Sequence, residues 1–185
     1  MNNHLLKIKT ITSIGLMTAI LCIISPFAFP LPFSPVPITF STLALCLCVF
    51  LLGIYKSIIC GLLYLLIGAI GLPVFAGFTG GIGRLFGPTG GYLIGYLLLL
   101  LIFGYFSNKG NYRFSFCMLG MALGSLSCYL FGSLWLSIST DISFVQALLI
   151  GVVPYLPADI AKMFLAYAIG MPIRKAIIRA GLLAP

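Results

Sequence analysis

Charged residues divide this chain into uncharged blocks that are too long and too apolar for a water-soluble domain. Four of the blocks span residues 10–55, 57–83, 85–108 and 114–140, which is 46, 27, 24 and 27 residues. A transmembrane helix needs about 20 consecutive apolar residues, and only 6% of the 185 residues are charged. The sequence therefore predicts a single integral-membrane domain over 1–185, an all-α protein with six transmembrane helices.

Prolines locate the boundaries of these predicted spans. Five of them fall within the twelve residues from Pro26 to Pro37, and because each removes a backbone donor, a loop is predicted there rather than a helix. We expect helices at 11–29, 39–55, 57–74, 90–107, 114–136 and 158–179, with a short interfacial or re-entrant segment at 142–156. No A-x-A cleavage site follows the first apolar run, which is therefore interpreted as a span and not as a signal peptide.

The basic residues predict the orientation, because Lys and Arg accumulate in cytoplasmic loops. With a cytoplasmic N-terminus, Arg84 alone lies in an outer loop, and the inner set is Lys7, Lys9, Lys56, Lys109, Arg113, Arg174, Lys175 and Arg179. Both termini are then cytoplasmic, and a substrate pocket is expected near the outer face. The net charge of +8 reflects membrane topology, so no nucleic-acid partner is predicted.

Several functional classes are disfavoured by the residues that the chain contains. Its acids are Asp141 and Asp159, with no Glu, which leaves little for a hydrolase that uses paired carboxylates. Six Cys without a CxxC motif and a lone His4 give no metal-ligand pattern. The segment TGGIGRLFGPTGGY, residues 79–92, lacks the Lys-Ser/Thr of a P-loop, so nucleotide binding is rejected. We predict no enzyme, metal or cofactor.

Asp159 and Lys162 form the most informative polar pair. They are three residues apart and share one face of a helix, and ionisable groups within membranes are costly enough to suggest function. Together they could recognise a neutral group that both donates and accepts hydrogen bonds, such as a urea or an amide; the alternative is an interfacial salt bridge.

Three further residues have two interpretations each. Arg84 is either an attractor for an anionic solute or a solvated loop charge. Tyr155 is either part of an interfacial aromatic belt or a wall for a ring-shaped ligand. Thr89 is expected to cap the helix that starts at Gly90, unless the Gly-rich segment is merely a compact loop.

Three segments carry a family resemblance. PVPITFSTLAL (35–45), LLYLLIGAIGLPVFAGFTGGIGRLFGPTGGYLIGY (62–96) and PYLPADIAK (154–162) resemble BioY, the biotin-specific substrate-binding component, or S component, of energy-coupling-factor (ECF) vitamin transporters. The resemblance spans most of the chain. It departs from the family pattern at Ser41, where a Gln is expected.

The resemblance implies a six-helix component in the plasma membrane of a prokaryote that captures biotin from outside. It also implies two kinds of partner, a membrane coupling protein and two cytoplasmic ATPases. The implied ligand-binding positions are Asp159, Lys162, Gly80, Gly81, Gly87, Thr89, Gly90, Val36, Pro37 and Thr39, and the small residues Gly15 and Ala19 correspond to the contact with the coupling protein. The biotin ureido group suits Asp159 and Lys162, and its carboxylate suits Arg84 or backbone N–H groups.

Two other functions remain as alternatives. One is an autonomous secondary carrier for biotin or a related vitamin, in which Asp159 relays protons. The other is a membrane enzyme with Asp159 and Lys162 as acid and base, which the scarcity of carboxylates disfavours.

Overall fold

The computed structural model describes residues 2–32 and 34–181, and side chains from Ile8 onward. Its helices are α1 (Asn2–Ile24), α2 (Ser41–Leu52), α3 (Ile54–Ile70), α4 (Ile82–Phe86), α5 (Gly90–Lys109), α6 (Phe114–Thr140), α7 (Phe144–Gly151) and α8 (Leu156–Arg179). Two strands, β1 (Ala28–Leu31) and β2 (Ser34–Thr39), separate α1 from α2, and a 3-10 turn over Val153–Tyr155 joins α7 to α8.

Each of the six predicted spans corresponds to a helix. By length and composition, α5, α6 and the apolar stretch Phe144–Arg179 are long enough to cross a membrane, whereas Ile8–Ile24, α2 and α3 are shorter apolar helices. The prediction of a mostly helical membrane protein is confirmed. The segment predicted at 142–156 contains α7 and the 3-10 turn.

The proline-rich segment was predicted to be a loop, and that prediction is wrong. Strands β1 and β2 form an antiparallel hairpin in which Ala28 pairs with Thr39 and Phe29 with Ile38. A two-stranded hairpin has an unpaired edge on each strand, so a proline without an N–H is tolerated there. Helix α1 consequently ends at Ile24, five residues earlier than expected.

Glycines allow α5 and α6 to pack closely. A Cβ at Gly91 would lie 2.2 Å from the Trp135 Cβ, and one at Gly124 would lie 3.1 Å from the Leu99 carbonyl oxygen. Small residues at such crossings let helix backbones approach each other. The α5 and α6 pair therefore forms a tight scaffold on which the site is built.

A buried arginine joins three elements at one end of the bundle. The Arg174 guanidinium on α8 donates to the Phe50 carbonyl near the end of α2 at 3.0 Å, and it lies 3.5 Å from the centre of the Tyr112 ring in the α5–α6 turn. Burial raises the pKa of the Tyr112 phenol, and the guanidinium lies over the π face of its ring. The hairpin, α4 and the start of α8 lie at the opposite end.

Candidate ligand-binding site

Two adjoining cavities lie between the hairpin and the helices. The larger, of about 270 Å³, is bounded by the hairpin, the loop at 75–79, Arg84 and the first turns of α5. The smaller, of about 50 Å³, is bounded by β2, α2, α6 and the start of α8. Five residues line both: Val36, Pro37, Thr39, Tyr92 and Tyr96. The two spaces therefore lie side by side, and together they form one candidate site.

The predicted pair of charges lies in the smaller cavity. The Lys162 ammonium is 2.7 Å from Oδ1 of Asp159, and the two side chains are 13% and 12% exposed. Asp159 is in the first turn of α8, where the positive end of the helix dipole stabilises a carboxylate. The pair is therefore a partly buried salt bridge that offers both donors and acceptors to the cavity.

The pair keeps unused hydrogen-bonding capacity. An ammonium has three N–H donors and each carboxylate oxygen accepts about two hydrogen bonds. Lys162 donates one hydrogen bond to Asp159, and Tyr129 on α6 donates to the other carboxylate oxygen. Lys162 therefore has N–H groups left, and both Asp159 oxygens have lone pairs left.

Tyr155 attaches the hairpin to the start of α8. Its hydroxyl is hydrogen-bonded to the Ser34 hydroxyl at 2.8 Å and donates to the Val36 carbonyl. The side chain is buried and also lines the smaller cavity. Of the two interpretations from sequence, the structure places Tyr155 at the cavity wall.

The glycines of the predicted site contact the protein's own backbone. A Cβ at Gly80 would lie 2.2 Å from the Leu72 carbonyl oxygen, and one at Gly90 would lie 1.7 Å from that of Leu85. Gly81 has a φ of +97° and donates to the Gly68 carbonyl at 2.7 Å. Such positions require glycine because a side chain would clash or be strained.

The Gly-rich loop is attached to α6. Trp135 donates through Nε1 to the Gly87 carbonyl at 3.0 Å. Among the described residues, the linings of the two cavities include none of Gly80, Gly81, Gly87 and Gly90. These glycines shape the loop that carries Arg84 and Thr89, which both line the larger cavity.

Thr89 is at the N-cap position of α5, but its side chain makes no capping hydrogen bond. The expected cap is therefore not formed. Its carbonyl accepts from the amides of Tyr92 and Leu93, so the backbone alone starts the helix. The Thr89 hydroxyl remains free of a capping role at the cavity wall.

Several lining residues were not predicted from the sequence. Tyr92 and Tyr96 are four residues apart on α5, directly after GPTGG, a spacing that places them on one face and that could have indicated them. Tyr129 carried no such signal. Thr42 lines the smaller cavity, and its buried hydroxyl has no partner among the described residues.

The small residues Gly15 and Ala19 lie on the exposed side of α1. A Cβ at Gly15 would meet nothing within 4 Å, and Ile11 and Leu16 beside it are also exposed. This face of α1 is therefore mostly apolar and open.

Comparisons with known proteins identify one family, and the matches cover nearly the whole chain. The model described as the BioY family matches residues 1–179. The "Biotin transporter BioY2" of Lactococcus lactis subsp. cremoris is 34% identical over 171 residues, which is 92% of this chain and 93% of that protein. The "Biotin transporter BioY" of Thermotoga maritima is 33% identical over 162 residues, with 87% and 93% coverage.

The fold also matches a crystal structure of the S-component for biotin from an ECF-type ABC transporter. The TM-score is 0.85 at 30% sequence identity, and the match covers 95% of this chain and 94% of the other. The similarity therefore extends to the arrangement of the elements.

Proposed function

The chain belongs to the BioY family, and from this we propose that it is the biotin-binding S component of an ECF-type importer. It is a multi-pass membrane protein with no catalytic role. It captures biotin at the outer face, and a coupling protein and two ATPases provide the energy for delivery. The observation that carries the proposal is the Asp159–Lys162 pair, which lines a cavity with donors and acceptors side by side.

The shape of the site suggests how biotin is oriented. The ureido carbonyl accepts from Lys162 and a ureido N–H donates to Asp159, both as charge-assisted hydrogen bonds. Thr42, with its unpartnered hydroxyl, is a further partner for this polar group. The fused rings lie against Tyr92 and Tyr96, which line both cavities. The carboxylate extends into the larger cavity toward Arg84.

The open face of α1 suits a helix of the coupling protein. Gly15 and Ala19 are exposed, and small residues four apart allow close contact between helices in a membrane. In this assembly both chain termini are cytoplasmic and the hairpin faces outward. Labelling of Arg84→Cys in intact cells by an impermeant thiol reagent tests this orientation; labelling only in inverted vesicles contradicts it.

Calorimetry on the purified chain tests the ligand. We expect biotin to bind and riboflavin and thiamine not to bind. Trp135 is the sole tryptophan and is hydrogen-bonded to the Gly-rich loop, so its fluorescence should change only with biotin. Equal binding of all three vitamins, or of none, contradicts the proposed substrate.

Proteoliposomes test the mode of transport. With the chain alone, we expect binding but no accumulation of radiolabelled biotin. Accumulation should require the coupling protein, both ATPases and ATP. Uptake by the chain alone that follows a pH gradient would instead support the autonomous proton-coupled carrier.

A further inference from the structure

Tyr129 holds one side of the carboxylate at the ligand site. It lies on α6, lines the smaller cavity, and its phenol donates to Oδ2 of Asp159. Lys162 donates to the other oxygen, Oδ1, from the same helix as Asp159. Each carboxylate oxygen thus has one protein donor, and the two donors come from different helices.

The two donors have different mechanical effects on Asp159. The terminal torsion of an Asp side chain is broad, so Lys162 alone, one turn away on α8, leaves the carboxylate plane free to rotate. An ammonium is also a compact charge that donates to either carboxylate oxygen equally well. The phenol of Tyr129 belongs to the α5 and α6 scaffold and is partly buried, so it fixes the plane from outside α8.

We infer that Tyr129 is a positioning residue, which orients Asp159 so that the remaining lone pairs of its carboxylate meet the N–H donors of the ligand. This inference rests on the proposed function. Tyr129 acts through Asp159, and Lys162 remains free to donate to the ligand carbonyl. The selectivity of the site for a group with N–H donors therefore depends on three side chains from two helices.

The test compares Tyr129→Phe with Tyr105→Phe in the full-length chain. Phe keeps the ring at the cavity wall and removes only the hydroxyl. Tyr105 is an exposed residue of α5 beside Lys109, far from the site, and serves as the matched control. We expect the affinity for biotin to fall about tenfold in Tyr129→Phe and to stay unchanged in Tyr105→Phe. An unchanged affinity in Tyr129→Phe overturns the inference.

A second ligand separates positioning from a purely structural role. Biotin methylated on either ureido nitrogen lacks one N–H donor. The loss of affinity caused by methylation should be smaller in Tyr129→Phe than in the wild type, because the carboxylate of the variant is already misaligned. If Tyr129→Phe weakens the binding of biotin and of methylated biotin by the same factor, Tyr129 merely supports the fold, and the inference is wrong.

The double variant Tyr129→Phe, Asp159→Asn completes a mutant cycle. We expect it to bind biotin like Asp159→Asn alone, because groups that act through one another are not additive. If the losses of affinity of the two single variants multiply in the double variant, the two residues act independently and the inference is wrong. If Asp159→Asn leaves biotin affinity unchanged, the proposed ligand site is wrong as well. If Asp159→Asn weakens binding but Tyr129→Phe does not, the proposed function is retained and only the positioning role is wrong.

Discussion

Helix α8 carries a buried charged side chain toward each end, and their surroundings differ. Asp159, which is 9% exposed as a whole residue, pairs with Lys162 beside a cavity. Arg174, 7% exposed, is packed against the Phe50 carbonyl and the Tyr112 ring. One buried charge of α8 thus lines a cavity, where it is available to a ligand, and the other joins helices.

Arg174 is satisfied without an acid. The two acidic residues of the sequence, Asp141 and Asp159, lie at the other end of the bundle. The Phe50 carbonyl belongs to the last turn of α2, the negative end of a helix dipole, and the Tyr112 ring adds a cation–π contact. The guanidinium therefore stabilises the contact between α2, α8 and the α5–α6 turn.

Replacement of the carboxylate should have the largest effect on binding. Asp159→Asn keeps the shape and removes the charge, so we expect biotin affinity to fall about a hundredfold, as for a lost hydrogen bond to a charged group. Asp141→Asn is the matched control, because Asp141 is exposed and has a φ of +54° that Asn tolerates. Calorimetry that gives the two variants equal affinity contradicts the proposed site.

Replacement of the arginine should affect stability and not binding. Arg174→Met loses the hydrogen bond to Phe50 and the contact with Tyr112, so we expect the free energy of unfolding to fall by about 2 kcal/mol. Biotin affinity should stay within about twofold of wild type. Arg179→Met, at an exposed position, is the control. If Arg174→Met greatly weakened biotin binding and left thermal stability unchanged, Arg174 would belong to the binding site, and the proposed difference between the two ends of α8 would be wrong.

The cation at the cavity mouth should contribute less than the buried pair. Arg84 is exposed, so its attraction for a carboxylate is screened by water and salt. We expect Arg84→Ala to weaken biotin binding about threefold at low salt, with a smaller effect in about 0.5 M salt, roughly three times physiological ionic strength. Biotin amide, which has no carboxylate, should bind both proteins equally. If Arg84→Ala abolishes binding while Asp159→Asn does not, the ligand is reversed.

The effect on binding at Thr42 should be as small as that at Arg84, and affinity and stability should change in opposite directions. Thr42→Val keeps the shape and removes the unpartnered hydroxyl. The ligand-free protein should become slightly more stable, because a buried polar group without a partner is costly. Biotin affinity should fall about threefold. Thr12→Val on the exposed side of α1 is the control, and an increase in biotin affinity would exclude a contact with Thr42.

The accuracy of the sequence prediction differed between elements. Helices α5 and α6 were predicted within four residues because charged residues bound both blocks. The pairing of Asp159 with Lys162 followed from their spacing on one helix. The hairpin at 28–39 was missed because the prolines exclude a helix but not an edge strand.

The periodicity and spacing of the sequence did not predict contacts between distant segments. The Tyr129 phenol meets a carboxylate 30 residues later, and the Arg174 guanidinium meets a carbonyl 124 residues earlier. The Gly-rich loop appeared suited to enclose a ligand, yet Gly80 and Gly90 pack against carbonyl groups of the same loop region. Periodicity and spacing describe one element at a time and contain no information about which elements meet.

The amino-acid sequence by itself determined that this chain lies in a membrane, approximately where six of its helices occur, and which two charged groups share the N-terminal part of α8. These properties follow from local hydropathy, proline positions and helical spacing. Tertiary structure alone decided that Asp159 lines a cavity while Arg174 joins helices, because the space around a side chain is set by the packing of neighbours that are distant in sequence.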